Sequence, residues 1–189
     1  MHSHQSQQRQ DNPLVIGVTG HIGAGKTSAA NYLKAAHGFF YVRYSKVLSD
    51  WLAKDAESRA HLQTVGWEVM AGGMQTELNT LLIGQIPAQI DCAVDGLRHP
   101  IDHDCLTKAF PSQFRLLYIE SRQETRWQRV RKRYAELDSF RRADSHPVEQ
   151  NIDALRSEAF AVLENDSTLE DLYSKVEAEL KKIRSGGQR

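Results

Sequence analysis

The stretch that most constrains the fold of this chain is GHIGAGKT, from Gly20 to Thr27. It follows a short apolar run, LVIGVT, and precedes a helix-like run, SAANYLKAA. The pattern G-x-x-x-x-G-K-[ST] between a strand and a helix is typical of a phosphate-binding loop. Its glycines let the backbone curl so that successive N–H groups face phosphate oxygens, and the positive end of the helix adds to that field. The sequence therefore predicts that this loop holds a polyphosphate.

Two side chains of the loop, and one from elsewhere, indicate how the phosphates and a metal ion would be held. We expect Lys26 to place its ammonium near the β and γ phosphates and Thr27 to offer its hydroxyl to Mg²⁺. A second magnesium ligand is usually an Asp at the end of a neighbouring strand, and Asp95 ends the apolar run IDCAVD. The alternative interpretation of Asp95 is a residue that starts the turn at Gly96.

The rest of the chain alternates apolar runs with helical patterns, which is typical of an α/β protein with a parallel sheet. Strands are predicted at residues 14–19, 39–45, 90–96, 114–121 and 159–165. Helices are predicted from Lys26 to about Gly38, through most of residues 46–85, at 122–134, and at 168–183 after a capping box that starts at Ser167. The last helix presents one apolar face, made of Leu169, Leu172, Val176, Leu180 and Ile183.

Composition restricts the class of protein. A chain of 189 residues with 40% hydrophobic content can form one domain with a sizeable core, which we place at residues 14–184. Lys plus Arg equals Asp plus Glu, at 24 each, so the charge indicates neither nucleic acid nor membrane as a partner. Cys92 and Cys105 lack metal-site spacing and predict a reduced, cytoplasmic protein.

The two ends of the chain are predicted to lie outside that domain. Residues 1–13 are polar and lack the apolar segment of a secretory signal, so they are predicted to be a disordered tail. His2 and His4 could bind a metal, but a solvated tail is the favoured interpretation. Residues 185–189 are predicted to be a frayed end.

A basic segment follows the fourth predicted strand. Residues 122–142 hold eight Lys or Arg and three acidic residues, in a chain that is neutral as a whole. Arg126, Arg129 and Arg133 would share one face of the predicted helix, which could close over ATP, stacking on adenine and neutralising the transferring phosphoryl group. The alternatives are a solvated charged face or a nucleic-acid patch. Because Trp127 and Tyr134 are the aromatic residues interleaved with these cations, nucleic acid is disfavoured.

Arg98 follows Asp95 by three residues. There it could meet an acceptor phosphate at the carboxyl ends of the strands, where open α/β sheets bind ligands. The alternative is a surface arginine that pairs with Asp102 or Asp104.

Four segments, in this order, resemble one family: IGVTGHIGAGKTSAANYL, VDGLRHPIDHDCL, ETRWQRVRKR and ENDSTLEDLYSKVEAEL. The chain is similar to P-loop nucleotide kinases of the dephospho-CoA kinase, deoxynucleoside monophosphate kinase and adenylate-kinase-like group, from about Leu14 to Ile183. The resemblance implies the three-layer α/β fold of the P-loop NTPases, with a five-stranded parallel sheet in the order 2-3-1-4-5. It also implies a helical acceptor region at about 46–85 and a lid at about 122–146.

The resemblance also implies roles for individual residues. Arg129 and Arg133 stand at the lid-arginine positions and, with Lys26 and Arg98, would stabilise the transition state of transfer from ATP. Asn165, Ser167 and Thr168 would lie near the adenine. The phosphates would be held by the loop and the start of its helix: Gly20, Ile22, Gly23, Ala24, Gly25, Lys26, Thr27 and Ser28.

The acceptor side departs from the family. The resemblance to dephospho-CoA kinases implies an acidic residue after the second strand. Here YVRYSKVLSD has Ser45 at that place and no carboxylate until Asp50. A hydroxyl acceptor benefits from a base, whereas a nucleoside monophosphate presents phosphate oxygens and does not need one. SRAHLQTVGWEV resembles the acceptor-side segment of uncharacterised adenylate-kinase-like relatives, which makes Arg59 and Gln63 candidates beside Ser45 and Arg98. The alternative is an amphipathic helix whose core residues are Leu62, Val65, Val69 and Met70.

These observations predict an ATP- and Mg²⁺-dependent kinase whose acceptor is a nucleotide-like small molecule, first of all a (deoxy)nucleoside monophosphate. One alternative is phosphorylation of a hydroxyl group, as in dephospho-CoA kinases. Another is a nucleotide-binding sensor without turnover, and a third is an ATPase or GTPase switch. The N-K-x-D string of GTP-binding proteins is absent from the sequence. We expect a monomer or homodimer with no nucleic-acid or membrane partner.

Overall fold

One parallel sheet lies at the centre of the computed structural model, which describes residues 12–52 and 59–186. Its five strands are β1 (Val15–Thr19), β2 (Phe40–Arg43), β3 (Cys92–Leu97), β4 (Phe114–Glu120) and β5 (Ala161–Glu164). Their order is β2-β3-β1-β4-β5, and every neighbouring pair is parallel. The predicted fold class and strand order are therefore confirmed. Nearly all of the predicted tail at 1–13, and residues 187–189 of the predicted frayed end, lie outside the described residues.

Ten helices surround the sheet in the described part of the chain. None of them is both long and apolar enough to cross a membrane. They are α1 (Lys26–His37), α2 (Tyr44–Trp51), α3 (Arg59–Ala71), α4 (Gln75–Ile83), α5 (Pro100–Ala109), α6 (Gln123–Val130), α7 (Leu137–Asp144), α8 (Pro147–Gln150), α9 (Ala154–Glu158) and α10 (Leu169–Arg184).

The helices bury both faces of the sheet, which is why the strands read as continuous apolar runs. On one face, α1 and α10 pack on Ile16 and Val18 of β1 through a single apolar cluster. On the other face, Val15 joins a second cluster with side chains of α2, α3, α4, α5 and α9. Gly17 also faces this side, where a Cβ atom would lie 2.8 Å from the Phe114 ring. The carboxyl ends of β1, β2 and β3 therefore open at one edge between the two helical layers.

Several predicted boundaries shift by one or two residues in the structure, and two of the differences have a clear physical reason. The second strand ends at Arg43 instead of continuing to Ser45, because Tyr44, Val47 and Leu48 form the buried face of α2 at helical spacing. The last helix is capped by Thr168, whose hydroxyl accepts a hydrogen bond from the Asp171 N–H at 3.2 Å, and not by Ser167. Leu169 is 50% exposed and does not join the buried face of α10.

The basic segment is not the single helix that the sequence predicts. Helix α6 ends at Val130, the chain turns, and α7 begins at Leu137. The turn lets Phe140 pack with Val130 and with Ile22 of the phosphate loop in a third apolar cluster. Arg133 consequently lies in the turn and does not share a helix face with Arg126 and Arg129.

A buried ion pair holds the two lid helices together. Arg126, which is 6% exposed, donates to the carboxylate oxygens of Asp144 at 2.5 and 2.9 Å, and to the carbonyl of Ile22 at 3.0 Å. Burial raises the pKa of Asp144, but the hydrogen bonds and charge of Arg126 outweigh burial and hold that pKa below its ordinary value. Arg126 is therefore a structural link between the lid and the phosphate loop.

The variant Asp144→Asn tests this link. It leaves the Arg126 charge buried without a carboxylate, so we expect a loss of about 3 kcal/mol in the free energy of unfolding at pH 7, measured by urea denaturation. Because the pKa of Asp144 is lowered on folding, its contribution is complete above the unfolded pKa of about 4 and is lost as pH falls through the folded pKa.

The difference between the wild type and Asp144→Asn should therefore shrink below about pH 4. The matched control is Asp138→Asn on the same helix, since Asp138 forms an exposed pair with Arg141 at 3.5 Å. That control should stay within about 0.5 kcal/mol of the wild type. Equal stabilities of the two variants at pH 7 would contradict the role given to the Arg126–Asp144 pair.

Candidate active site

The phosphate loop opens into a cleft of about 780 Å³ at the carboxyl ends of the central strands. Gly23, Gly25, Lys26, Thr27 and Ser28 line one end of this cleft, beside Asp95 of β3. The remainder is lined by apolar side chains of α2, α3, α4 and α8, with arginines beside them. The apolar group is Leu48, Leu62, Met70, Leu78 and Val148, and the arginines are Arg43, Arg98, Arg129 and Arg133.

The loop glycines are required by both conformation and space. Gly20, Gly23 and Gly25 have φ values of 137°, 79° and 110°, which L side chains rarely adopt. A Cβ atom on Gly20 would lie 2.2 Å from the Ile119 carbonyl oxygen, and one on Gly25 would lie 2.4 Å from the Asn165 amide nitrogen. The loop is therefore fixed tightly against the end of β4 and the segment after β5.

The Lys26 side chain folds back over the phosphate loop. Its ammonium donates to the carbonyl oxygens of Gly20 at 2.5 Å and His21 at 2.9 Å, and the residue is 8% exposed. Phosphate oxygens that enter the loop would offer stronger, charged acceptors to the same ammonium.

Thr27 and Asp95 lie together, as the sequence predicts for two groups around one metal ion. The Thr27 hydroxyl donates to Asp95 Oδ2 at 2.8 Å, and the Asp95 side chain is 3% exposed. Neighbouring ligands of an octahedral Mg²⁺ with Mg–O distances of about 2.1 Å are about 3.0 Å apart. The pair therefore fits Mg²⁺ in spacing and in ligand type.

Two residues near this pair were not predicted from the sequence. Arg43, the last residue of β2, donates to Asp95 Oδ2 through Nε at 3.1 Å and Nη2 at 3.0 Å, and through Nη2 to Thr27 Oγ1 at 2.9 Å. The Tyr41 hydroxyl donates to the same Asp95 oxygen at 2.7 Å. Burial, followed by the Asp95 charge, raises the pKa of Tyr41, so the hydroxyl stays a donor.

Arg129 connects the lid to the segment after β5. Its guanidinium donates to the carbonyls of Asn165 at 2.8 Å and Ser167 at 3.2 Å, and it lines the cleft beside Leu169. Partial burial lowers the pKa of Arg129, against a smaller opposing effect of Asp166. Asn165 is 2% exposed and donates its amide to the Ala24 carbonyl at 2.7 Å, so its side chain braces the phosphate loop. Ser167 and Thr168 are exposed at the same edge.

The other predicted arginines, Arg98 and Arg133, line the cleft, and Arg98 is a predicted contact of the acceptor. Arg133 is exposed and lines the cleft from the lid. Arg98 lines it from the end of β3 and pairs with the buried Glu149 of α8 at 3.2 Å, and not with Asp102 or Asp104. Its side chain is 20% exposed, and its buried Nε has no hydrogen-bond partner in the described part of the chain.

The three other acceptor-side candidates have different surroundings. Ser45 is half-buried and lines the cleft. Gln63 is 4% exposed and donates instead to the Ala143 carbonyl at 3.0 Å and to Glu149 at 3.2 Å, so it joins α3 to the lid. The side chain of Arg59 lies outside the described residues. Val65 and Val69 belong to the core, as the amphipathic interpretation of α3 expects, whereas Leu62 and Met70 line the cleft.

A buried polar network forms the floor of the acceptor side. Asp102 accepts from the backbone N–H groups of Arg98 and His99 on one oxygen, and from Gln75 and Asn79 on the other. Gln75, which is 4% exposed, must turn its amide nitrogen to the carboxylate, so its carbonyl oxygen faces away. That oxygen has no hydrogen-bond donor among the residues that the structure describes, and Gln75 lines the cleft.

The sequence contains a usable signal for one of the unpredicted residues and none for two others. Arg43 could have been found, since it ends a strand next to the one that carries Asp95. Gln75 and Glu149 lie on helices with no motif, and only the packing of those helices brings them to the cleft.

The requirement for glycine in the loop can be measured with the variant Gly25→Ala. We expect it to displace Asn165, to destabilise the protein by about 2 kcal/mol or more, and to weaken binding of a non-hydrolysable ATP analogue at least about tenfold. The control is Gly38→Ala, because Gly38 has a φ of 72° but an added Cβ would meet nothing within 4 Å. It should cost about 1 kcal/mol and leave binding unchanged. Equal analogue affinities in the two variants, by calorimetric titration, would contradict the packing described for the loop.

The sequence was compared with known proteins. No protein-family model matches it. It is 31% identical over 133 residues to a UPF0200 protein of Methanothermobacter thermautotrophicus, and the match covers 70% of this chain and 68% of that relative.

Several solved structures with a similar fold are named as kinases. The shikimate kinase of Bacteroides thetaiotaomicron has a TM-score of 0.60 at 14% identity, with 89% of this chain and 98% of that chain covered. The gluconokinase of Sinorhizobium meliloti 1021 also has a TM-score of 0.60 at 14% identity, with 92% and 95% covered. The APS kinase of Mycobacterium tuberculosis has a TM-score of 0.57 at 13% identity, with 90% and 98% covered.

At these identities the structural likeness establishes the fold, and the expected resemblance to P-loop kinases is confirmed at that level. The sequence match establishes the family. The chain belongs to the UPF0200 family and has the P-loop kinase fold.

Proposed function

We propose that this protein is an ATP- and Mg²⁺-dependent kinase that phosphorylates a small molecule. The observation that carries the proposal is one continuous cleft that joins the phosphate loop to a partly apolar compartment, with four arginines among its lining residues. The solved proteins of the same fold named above are kinases, and their names describe small-molecule substrates. A cleft of this kind can hold a donor and an acceptor end to end.

The donor end would hold ATP. The phosphate loop and Lys26 would bind the β and γ phosphates, and Ser28 would lie at the same helix end. Thr27 and Asp95 would hold Mg²⁺, which when bound would neutralise part of the phosphate charge. Arg129 and Leu169, beside the segment at Asn165–Thr168, would bound the adenine.

Transfer would occur between the two compartments. An acceptor oxygen would bond to the γ phosphorus as the bond to the oxygen shared with the β phosphate breaks, so ADP leaves. Arg98, Arg129 and Arg133 line the cleft and would spread the charge of the transferring group. Residues of the lid, about 122–146, would exclude water, since Ile22, Val130 and Phe140 already join the lid to the loop.

We infer that the acceptor is a (deoxy)nucleoside monophosphate, because its phosphate oxygens need no general base. The carboxylates that line the described part of the cleft are Asp95 and Asp102, and both already accept several hydrogen bonds. A monophosphate would also match the arginines, while the apolar walls would hold its base. The unpaired oxygen of Gln75 would accept a hydrogen bond from an N–H group of that base. Hydroxyl phosphorylation, as in dephospho-CoA kinases, is the alternative acceptor chemistry.

A second candidate function is a nucleotide-binding sensor without turnover. The observation that favours it is the contact of Arg43 with both proposed magnesium ligands. Under either function we propose a cytoplasmic monomer or homodimer, with a small-molecule ligand and no nucleic-acid or membrane partner.

An acceptor panel tests the kinase. The protein is incubated with ATP and Mg²⁺ and with nucleoside monophosphates, nucleosides or dephospho-CoA in turn, and ADP is followed. We expect nucleoside monophosphates to stimulate ADP formation and Lys26→Ala to lower it at least about 100-fold. The matched control is Lys34→Ala, an exposed lysine of the same helix, which should retain activity. ATP binding without acceptor-dependent ADP would reject the kinase in favour of the sensor, and stimulation by dephospho-CoA alone would reject the monophosphate.

A separate prediction concerns Gln75→Met, which keeps the volume of the side chain but removes its carbonyl oxygen, together with the amide that donates to Asp102. We expect the KM for the monophosphate to rise about tenfold or more, since the proposed acceptor for the base is lost and the Asp102 network beside it loses one donor. The KM for ATP should change less than about twofold, because Gln75 lies on the acceptor side. Gln128→Met, on the exposed surface of α6, is the control. A parallel rise in both KM values would contradict the division of the cleft.

A further inference from the structure

The guanidinium of Arg43 bridges the two side chains proposed to hold Mg²⁺. Its Nη2 lies 2.9 Å from Thr27 Oγ1 and 3.0 Å from Asp95 Oδ2, and its Nε adds a second bond to that carboxylate oxygen at 3.1 Å. With the hydroxyls of Thr27 and Tyr41, Asp95 Oδ2 receives four hydrogen bonds. One carboxylate oxygen thus accepts hydrogen bonds from three side chains, of which Arg43 is the cation.

This arrangement and a bound Mg²⁺ compete for the same oxygen atoms. The Thr27 hydroxyl donates a hydrogen bond to Asp95, which leaves two lone pairs on its oxygen, and one of these accepts a hydrogen bond from Arg43. A magnesium ion bound to Thr27 would lie about 2.1 Å from that oxygen, within a few ångströms of the guanidinium. Two cations that close together in a partly buried site repel each other strongly. This repulsion favours moving the Arg43 guanidinium out of its present position when the metal binds.

The local structure explains why Arg43 takes this place. Strands β2 and β3 are parallel, with Arg43 directly opposite Asp95, so the buried carboxylate has its nearest cation on the neighbouring strand. The guanidinium also lies 5.6 Å from the centre of the Tyr41 ring. Partial burial opposes the charge of Arg43, but Asp95 and Tyr41 together outweigh burial and raise the pKa of the guanidinium. The interaction gives the buried Asp95 carboxylate a positive partner.

The Arg43 side chain borders open space in the cleft. Its side chain is 37% exposed, in contrast to 3% for Asp95, and it lines the cleft between Thr27 and Ser45. A rotation about the side-chain bonds can therefore carry the guanidinium from the metal position towards the acceptor compartment without moving β2.

We propose that Arg43 holds the magnesium position in the nucleotide-free protein and is displaced when Mg²⁺ binds with the nucleotide. The charge of Asp95 is then balanced at every stage, first by the guanidinium and afterwards by the metal. The displacement opposes metal binding, so Arg43 weakens the coupling between Mg²⁺ and the nucleotide. Its release also delivers a cation to the acceptor side only after the donor site is filled. This inference goes beyond the proposed function, because it concerns metal binding with or without turnover.

The experiment measures binding and not activity. The dissociation constant of a non-hydrolysable ATP analogue is determined by calorimetric titration in EDTA and in saturating Mg²⁺, for the wild type and for Arg43→Gln. The ratio of the two constants gives the coupling between metal and nucleotide. We expect this ratio to be about tenfold or more larger in Arg43→Gln, because Mg²⁺ no longer has to displace a cation.

Three further variants make the test specific. Arg156→Gln removes the same charge from an exposed pair with Glu120, outside the residues that line the cleft, and should keep the wild-type ratio. Arg43→Lys keeps the charge but cannot bond through two nitrogens, and should raise the ratio by a smaller factor. In an Asp95→Asn background, Arg43→Gln should no longer change the ratio, since the anion that holds the guanidinium is gone.

The outcomes separate this inference from the proposed function. An unchanged or smaller ratio in Arg43→Gln overturns it, and if that variant fails to fold by circular dichroism, an unchanged ratio in Arg43→Lys does so instead. A wild type that binds no nucleotide overturns both this inference and the proposed function. Tight, magnesium-coupled binding without turnover for any acceptor contradicts the kinase alone.

Discussion

The site is organised around one buried carboxylate oxygen, Oδ2 of Asp95. Three side chains from two other parts of the chain, the start of α1 and strand β2, donate hydrogen bonds to it. A carboxylate that is 3% exposed must have such partners, because an isolated charge in the interior is costly. These contacts fix Thr27 relative to the sheet, and thereby fix the start of α1 and the phosphate loop that precedes it. The central strand order places all of these groups at one edge.

The acceptor side depends on a second buried carboxylate. Asp102 accepts four hydrogen bonds and sets the orientation of Gln75, while Glu149 holds Arg98 at the rim. The predicted lid is fixed to the phosphate loop by Arg126, and Gln63 joins it to α3. In the described structure the phosphate loop is thus held from several sides, while Arg133 is exposed and the Arg43 side chain is 37% exposed in the cleft.

The fold could be predicted because local signals agreed with one another. The glycine-rich loop, apolar strands and helix ends specified an α/β sheet, and the family resemblance supplied its order, which the structure confirms. The lid helix was predicted too long, since its cationic sequence gives no sign that Phe140 must fold back onto Val130 and Ile22. The loop residues and the Thr27–Asp95 pair lie where the sequence placed them. Gln63 and Asn165 brace neighbouring segments instead, because their contacts come from helices and loops far away in sequence.

The acceptor side shows why a motif alone says little about function. The sequence has Ser45 where the resemblance to dephospho-CoA kinases leads us to expect a carboxylate, and the structure places the guanidinium of Arg43 two residues earlier, beside the proposed metal ligands. A hydroxyl instead of a carboxylate, with a guanidinium nearby, makes this end of β2 less negative. Under the proposed function, a hydroxyl acceptor would lack a base there, whereas a phosphate acceptor would meet a cation once Arg43 is released. The same two residues that weigh against one chemistry therefore support the other.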